Sequence, residues 1–176
     1  MRISKFLALV LRHDPARIGL TLDPKGWADV DELLTGAARC GLAVSREELE
    51  AVVWDNPKQR FMLDAEANRI RANQGHSLDI DLGLVPLEPP AVLYHGTGRV
   101  TLAAVLDEGL RPMGRRQVHL SVDPDTAVAV GRRHGRAVVL IVDSAAMHAD
   151  GHRFYRSVNG VWLTDQVPSR YLTLIR

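Results

Sequence analysis

Gly83-Leu84-Val85-Pro86-Leu87-Glu88-Pro89-Pro90 divides the chain. Each of its three prolines lacks a backbone N–H and fixes φ, so the segment continues neither a helix nor a central strand. It reads as an extended, semi-rigid connector. The sequence is therefore taken as two lobes, residues 1–82 and 91–176, joined by residues 83–90.

Working back toward the N-terminus, the pattern is helical. Ile3, Phe6, Leu7, Val10 and Leu11 share one helix face, and Asp14-Pro15 stops that helix. Asp29 and Glu32 have the spacing of a capping box for a second helix, which buries Val30, Leu33, Leu34, Ala37 and Ala38 and ends at Gly41. Ser45 and Glu48 repeat the box for a third helix, ending near Asn56-Pro57. Residues 60–63 and 69–73 then read as two short strands joined by a polar turn. Helices followed by a hairpin predict a winged-helix lobe. Beyond the prolines, residues 92–95, 118–121, 138–143, 161–164 and 171–175 read as strands, with helices at 100–106 and around 126–130. The predicted class is α+β, the second lobe carrying a mixed or antiparallel sheet.

Composition narrows the classes. Hydrophobic residues are 46% of the 176, enough for a real core. No apolar run approaches the roughly 18 residues that span a membrane, so no membrane association is expected. The start, MRISKFLALVLRH, has the charge and apolar stretch of a secretion signal but no small-residue cleavage site, and reads as folded structure. Cys40 is the sole cysteine, which excludes an intramolecular disulfide and fits the cytoplasm. The net charge of +1 is unevenly spread: −3 up to Pro90 and +4 from Ala91. Of the 22 basic residues 19 are arginine, whose planar fork suits phosphate, although a GC-rich genome explains such a bias equally well. Such a balance points to focused rather than broad contact with nucleic acid.

Neither GxGxxG, a P-loop nor HExxH is present. His148 and His152 flank Asp150-Gly151, which reads as a loop, so no metal site is expected. What remains is arginine and histidine beside glycine and small hydroxyls. Arg12-His13 ends the first helix, where cations also suit the helix dipole. Arg71 shares a strand face with Arg69, and taken alone is a solvated strand charge. Asn73-Gln74-Gly75-His76-Ser77 gathers more polar side chains than a plain turn needs. In the second lobe Tyr94-His95-Gly96-Thr97 reads as a strand end leading into a helix, where exposed N–H groups suit a pyrophosphate. His119 and Ser121 share a strand face. Gly131-Arg132-Arg133-His134-Gly135 is a basic run between glycines, and Asn159-Gly160 is first of all a hairpin turn.

Taken together, SKFLALVLRH, IRANQGHS, YHGT, GLRPMGRRQVHLS, VGRRHG and SVNGVWLT resemble the RNA 2′-phosphotransferase family, in order and over nearly the whole chain. The resemblance implies a winged-helix lobe, an ADP-ribosyltransferase-like lobe and an active site between them. It implies catalytic roles for Arg12, His13, Arg71 and Arg133, the count from Val130-Gly131 selecting Arg133 over Arg132. NAD, the co-substrate, is expected at His95, Gly96, Thr97, His119, Ser121, Asn159 and Gly160. RNA is expected at Arg69, Gln74, His76, Ser77 and Arg132. The implied reaction transfers an internal RNA 2′-phosphate to NAD-derived ADP-ribose, releasing nicotinamide and ADP-ribose 1″,2″-cyclic phosphate, without metal or an obligatory protein partner. The sharpest expectation is geometric: Arg12, Arg71 and Arg133 converge on one phosphate. Two alternatives are ADP-ribosylation that stops after its first step, and a winged-helix regulator that senses NAD. The −3 charge of the first lobe argues against the regulator.

Overall fold

The computed structural model describes residues 3–175 and divides the chain into two compact units that meet at Gly83 and Leu84. Both combine helices with antiparallel sheets, so the protein is α+β.

In the first unit α1 (Ile3–Arg12) buries Phe6, Leu7, Val10 and Leu11, the face expected from their spacing. Asp14 then caps a single 3-10 turn over Pro15–Ile18, its carboxylate accepting from Arg17 N at 3.2 Å. A two-residue strand, β1 (Ala28–Asp29), leads into α2 (Val30–Arg39), where Asp29 Oδ1 accepts from Glu32 N at 2.9 Å. The capping box at α3 (Arg46–Trp54) is complete: Ser45 Oγ accepts from Glu48 N, and Glu48 Oε2 accepts from Ser45 N. Strands β2 (Phe61–Asp64) and β3 (Arg69–Ala72) pair Met62 with Arg71 and Asp64 with Arg69. The sheet order is β1-β3-β2. Ile70 and Ala72 face the core, so alternation turns Arg69 and Arg71 outward.

The second unit holds two three-stranded sheets. One is β4 (Val92–Gly98), β6 (Ala137–Asp143) and β9 (Leu172–Leu174), with β6 central. The other is β5 (Val118–Leu120), β8 (Trp162–Thr164) and β7 (Phe154–Arg156), with β8 central. Tyr94 and Ser121 exchange backbone hydrogen bonds of 2.8 Å and join the two sheets. Leu93, Leu120, Leu140, Met147 and Phe154 belong to the core between them. The helices are α4 (Leu102–Glu108), α5 (Pro124–Gly131) and α6 (Ser144–Ala149). Residue 171, expected to open the last strand, closes a 3-10 turn instead. No helix is long and apolar enough to cross a membrane among the described residues.

One expectation is corrected. The strand does not end at His95: Gly96 and Thr97 also lie inside β4, so that all of Tyr94-His95-Gly96-Thr97 pairs with residues 138–141 of β6. The following helix begins only beyond a 3-10 turn at Arg99–Thr101. The run of β-branched and aromatic neighbours carries the strand through the glycine. Gly96 is small for a packing reason. A Cβ there would lie 1.7 Å from Ala127 O, so only glycine lets α5 rest against the sheet.

Candidate functional site

The first unit gathers Arg12, His13, Gly75 and Ser77. At the end of α1 the Arg12 carbonyl accepts from Ser77 N at 3.0 Å, and the Ser77 hydroxyl lies 3.0 Å from His13 Nδ1. Gly75, at φ +88, takes a backbone conformation that other residues rarely adopt, and its Cα side lies against the Arg12 guanidinium. The guanidinium also stands 5.9 Å from the centre of the Phe61 ring, with Nε and Nη2 buried. Arg12 is therefore held by packing as well as by its place at a helix C-terminus. Asn73 ties this segment down, its side-chain N–H donating to Gln59 O at 2.6 Å. His76 is 3% exposed and packs beside Gly26, an inward-facing histidine. Gln74 is half-buried.

Arg71 stands on the outward face of β3 and is more enclosed than an ordinary strand charge. Its guanidinium lies 4.6 Å from the centre of the Trp27 ring, and Nη1 donates to Lys25 O at 3.4 Å. The Nε–H is buried and meets no acceptor among the described residues. Burial lowers the pKa of this guanidinium from its usual value; Asp23 raises it and Arg69 lowers it further. No carboxylate of the described residues comes within ion-pair distance of Arg71. Arg69 differs, with its Nη2 2.9 Å from Asp64 Oδ2.

The second unit places another cation-rich group around His95. The His95 Nδ1–H donates to the His119 carbonyl at 3.0 Å, which fixes the tautomer because a carbonyl only accepts. Burial pushes this imidazole below its usual value; the bond to His119 opposes this, and the charges of Arg115 and His134 add to it. His95 is thus neutral at pH 7, its Nε2 carrying a lone pair. Arg115 donates to His119 Nδ1 at 3.2 Å. Arg115 is itself depressed, first by burial and then by the charge of Arg133. Arg132 and Arg133 are both exposed in the turn that follows α5, and the charge of Arg133 is the one felt at Arg115.

The remaining expected residues scatter. Thr97 Oγ1 lies 2.8 Å from Thr101 Oγ1, which itself donates to Gly98 O at 2.9 Å. Ser121 is committed through its backbone to Tyr94. Asn159 and Gly160 form the turn joining β7 to β8, where Ser157 Oγ and Asn159 Oδ1 are 2.8 Å apart and Gly160 N donates to Ser157 O. That turn has a structural reason of its own. His148 sits at the end of α6 while His152 lies beyond it, edge-on to Tyr171 at 5.7 Å.

Sequence reasoning missed Arg115 and Trp27. Arg115 lies inside the quoted GLRPMGRRQVHLS segment, and its four-residue distance from His119 was the available signal. Trp27 precedes a strand of only two residues, too short for any periodicity to show.

Two clusters of guanidinium and imidazole, with few carboxylates spent on them, suit a protein that handles phosphate esters. Comparison with known proteins makes that class specific. A model of the RNA 2′-phosphotransferase, Tpt1 / KptA family matches residues 1–166. A probable RNA 2′-phosphotransferase of Agrobacterium fabrum is 57% identical over 171 residues, 97% of this chain and 92% of its own. A protein of the same description from Streptomyces griseus is 54% identical over 181 residues, 99% of this chain and 96% of its own. The chain belongs to the RNA 2′-phosphotransferase family, and is a transferase acting on the 2′-phosphate of RNA.

Proposed function

We propose that this protein removes an internal 2′-phosphate from RNA with NAD as co-substrate, in two steps. The observation that carries the reading is Arg71, a half-enclosed guanidinium with a buried N–H and, among the described residues, no carboxylate at ion-pair distance, beside Arg69, which is neutralised by Asp64. A cation with no carboxylate at ion-pair distance, Asp23 acting on it only from farther off, is prepared for an external anion.

In the first step a 2′-phosphate oxygen attacks C1″ of the nicotinamide ribose, and the bond to nicotinamide breaks with its electron pair leaving on the ring nitrogen. The phosphate monoester carries roughly −1.5 to −2 charge at neutral pH, so this nucleophile needs no general base. In the second step the 2″-hydroxyl attacks phosphorus and the bond to the RNA 2′-oxygen breaks. The hydroxyl proton is lost and the RNA oxygen gains one, giving an RNA 2′-OH and ADP-ribose 1″,2″-cyclic phosphate. Arg12, Arg71 and Arg133 bind the phosphoryl oxygens over which charge spreads. His13, oriented through Nδ1 by Ser77, protonates the departing oxygen.

The second unit takes NAD in this reading. What supports it is an anion-friendly wall of Arg115, Arg133 and His119 beside a neutral His95 whose tautomer is set. Ser121, Thr97, Asn159 and Gly160 belong to the same proposal, as do Arg69, Gln74, His76, Ser77 and Arg132 toward RNA. We read the first unit as a winged-helix lobe and the second as ADP-ribosyltransferase-like, working in the cytoplasm without an obligatory partner.

Incubating a short RNA bearing one internal 2′-phosphate, with and without NAD, tests the reading. Loss of the phosphate only when NAD is present is expected. Retention of the phosphate in both cases sinks it, and ADP-ribosylated RNA that never turns over would favour transfer that stops at the first step.

A further inference from the structure

The turn that precedes β1 is built around one aspartate. Asp23 Oδ1 accepts from Lys25 N at 2.8 Å and from Trp27 N at 2.9 Å, Asp23 N donates to Trp27 O, and Gly26 N donates to Asp23 O. Four hydrogen bonds within five residues fix where the Lys25 carbonyl and the Trp27 ring point. Both point at Arg71: the carbonyl accepts from its Nη1 at 3.4 Å, and the ring centre lies 4.6 Å from its Cζ. On the other side Nη2 lies 4.0 Å from the Met62 sulfur, a weak acceptor.

The contrast with Arg69 gives this cradle its meaning. Arg69 approaches the same ring at 4.5 Å, but Asp64 also holds it through Nε at 3.0 Å and Nη2 at 2.9 Å. Among the described residues Arg71 receives the aromatic face, a carbonyl and a thioether sulfur, and no carboxylate at ion-pair distance. A carboxylate orients a guanidinium strongly but occupies the fork that binds phosphate. An indole face orients it while leaving the N–H groups in the guanidinium plane available.

We propose that Trp27 is the positioning residue of Arg71, holding the guanidinium by its π-face so that the second N–H of Nη1 and of Nη2 stays open to a phosphate. This rests on the phosphate-binding role proposed for Arg71. It makes Trp27 act on the reaction only through Arg71, without touching RNA or NAD.

The test combines heteronuclear NMR of the Arg71 Nε–H with kcat and KM for 2′-phosphorylated RNA. The proteins are wild type, Trp27→Phe, Trp27→Leu, Arg71→Ala and the Trp27→Leu/Arg71→Ala double variant. The Nε–H resonance, assigned by its loss in Arg71→Ala, is expected upfield in wild type and Trp27→Phe from the ring current, and at an exposed-arginine position in Trp27→Leu. Trp27→Leu is expected to lower kcat roughly 10-fold, the scale of a partly desolvated cation–π contact, with Trp27→Phe recovering most of it. On the Arg71→Ala background the same change should cost nothing further. An unshifted resonance overturns the proposal, as does an equal loss of kcat with and without Arg71. Should Trp27→Leu fold poorly, the cycle is closed with Trp27→Phe, whose smaller loss must likewise vanish without Arg71. A shifted wild-type resonance in a protein that removes no phosphate would sink the reaction and leave the ring–guanidinium pairing standing.

Discussion

Arg71 shows what a single residue's neighbours can decide. As a letter in a strand it is a charge on the solvent side, and alternation does turn it outward. Its stacking on an indole and its bond to a carbonyl come from Trp27 and Lys25, residues far away in sequence. Arg71→Ala is therefore expected to remove about 2–4 kcal/mol of transition-state stabilisation. Single-turnover rates measure this, and a loss below tenfold would contradict it. His13→Ala is expected to slow the second step more than the first, so RNA carrying phospho-ADP-ribose accumulates in a quench time course. Equal slowing of both steps removes the role given to His13. His95 supplies a pH effect on stability. Its folded pKa lies below the unfolded value of 6.5, so the unfolded chain binds the extra proton. The cost is absent above that value and grows as pH falls below it. Denaturant midpoints of wild type should fall faster than those of His95→Gln on acidification from about pH 7.5 to 5; parallel curves would contradict the assignment. Arginine and histidine positions were readable from motifs, whereas the contacts that set their chemistry were not.

At the scale of elements, local rules read well where the signal is local. The face of α1 and the capping box of α3 follow directly from side-chain spacing, and β2, β3, β5, β6 and β8 form where the apolar runs predict them, give or take a terminal residue. The misses have a common cause. β1 spans two residues, and β7 gains its pairing from β8, a partner that the sequence of β7 alone does not announce. YHGT looked like a strand end because glycine ordinarily weakens strands, yet close packing by α5 and pairing with β6 override that preference. Gly96→Ala therefore tests the packing account. It should destabilise the protein by about 1–3 kcal/mol, as overpacking does, read from the urea midpoint at unchanged m-value. A neutral substitution would mean that α5 yields easily.

For the molecule as a whole, charge is the property that composition alone misstates. A net +1 hides −3 before Ala91 and +4 from there on, and the phosphate contacts proposed above are only three arginines. RNA binding should accordingly depend weakly on salt. If three phosphate contacts dominate, log affinity against log salt should have a slope of about −2, against far steeper values for a broadly basic binder. A slope steeper than about −5 would mean that a much wider surface takes part.

The central claim is that the phosphate leaves RNA by transfer to an NAD-derived ribose. Its most direct measurement follows a radiolabelled 2′-phosphate on RNA together with released nicotinamide. The label should appear in ADP-ribose cyclic phosphate, one nicotinamide released for each phosphate removed. Label recovered as inorganic phosphate, without matching nicotinamide, would contradict the account.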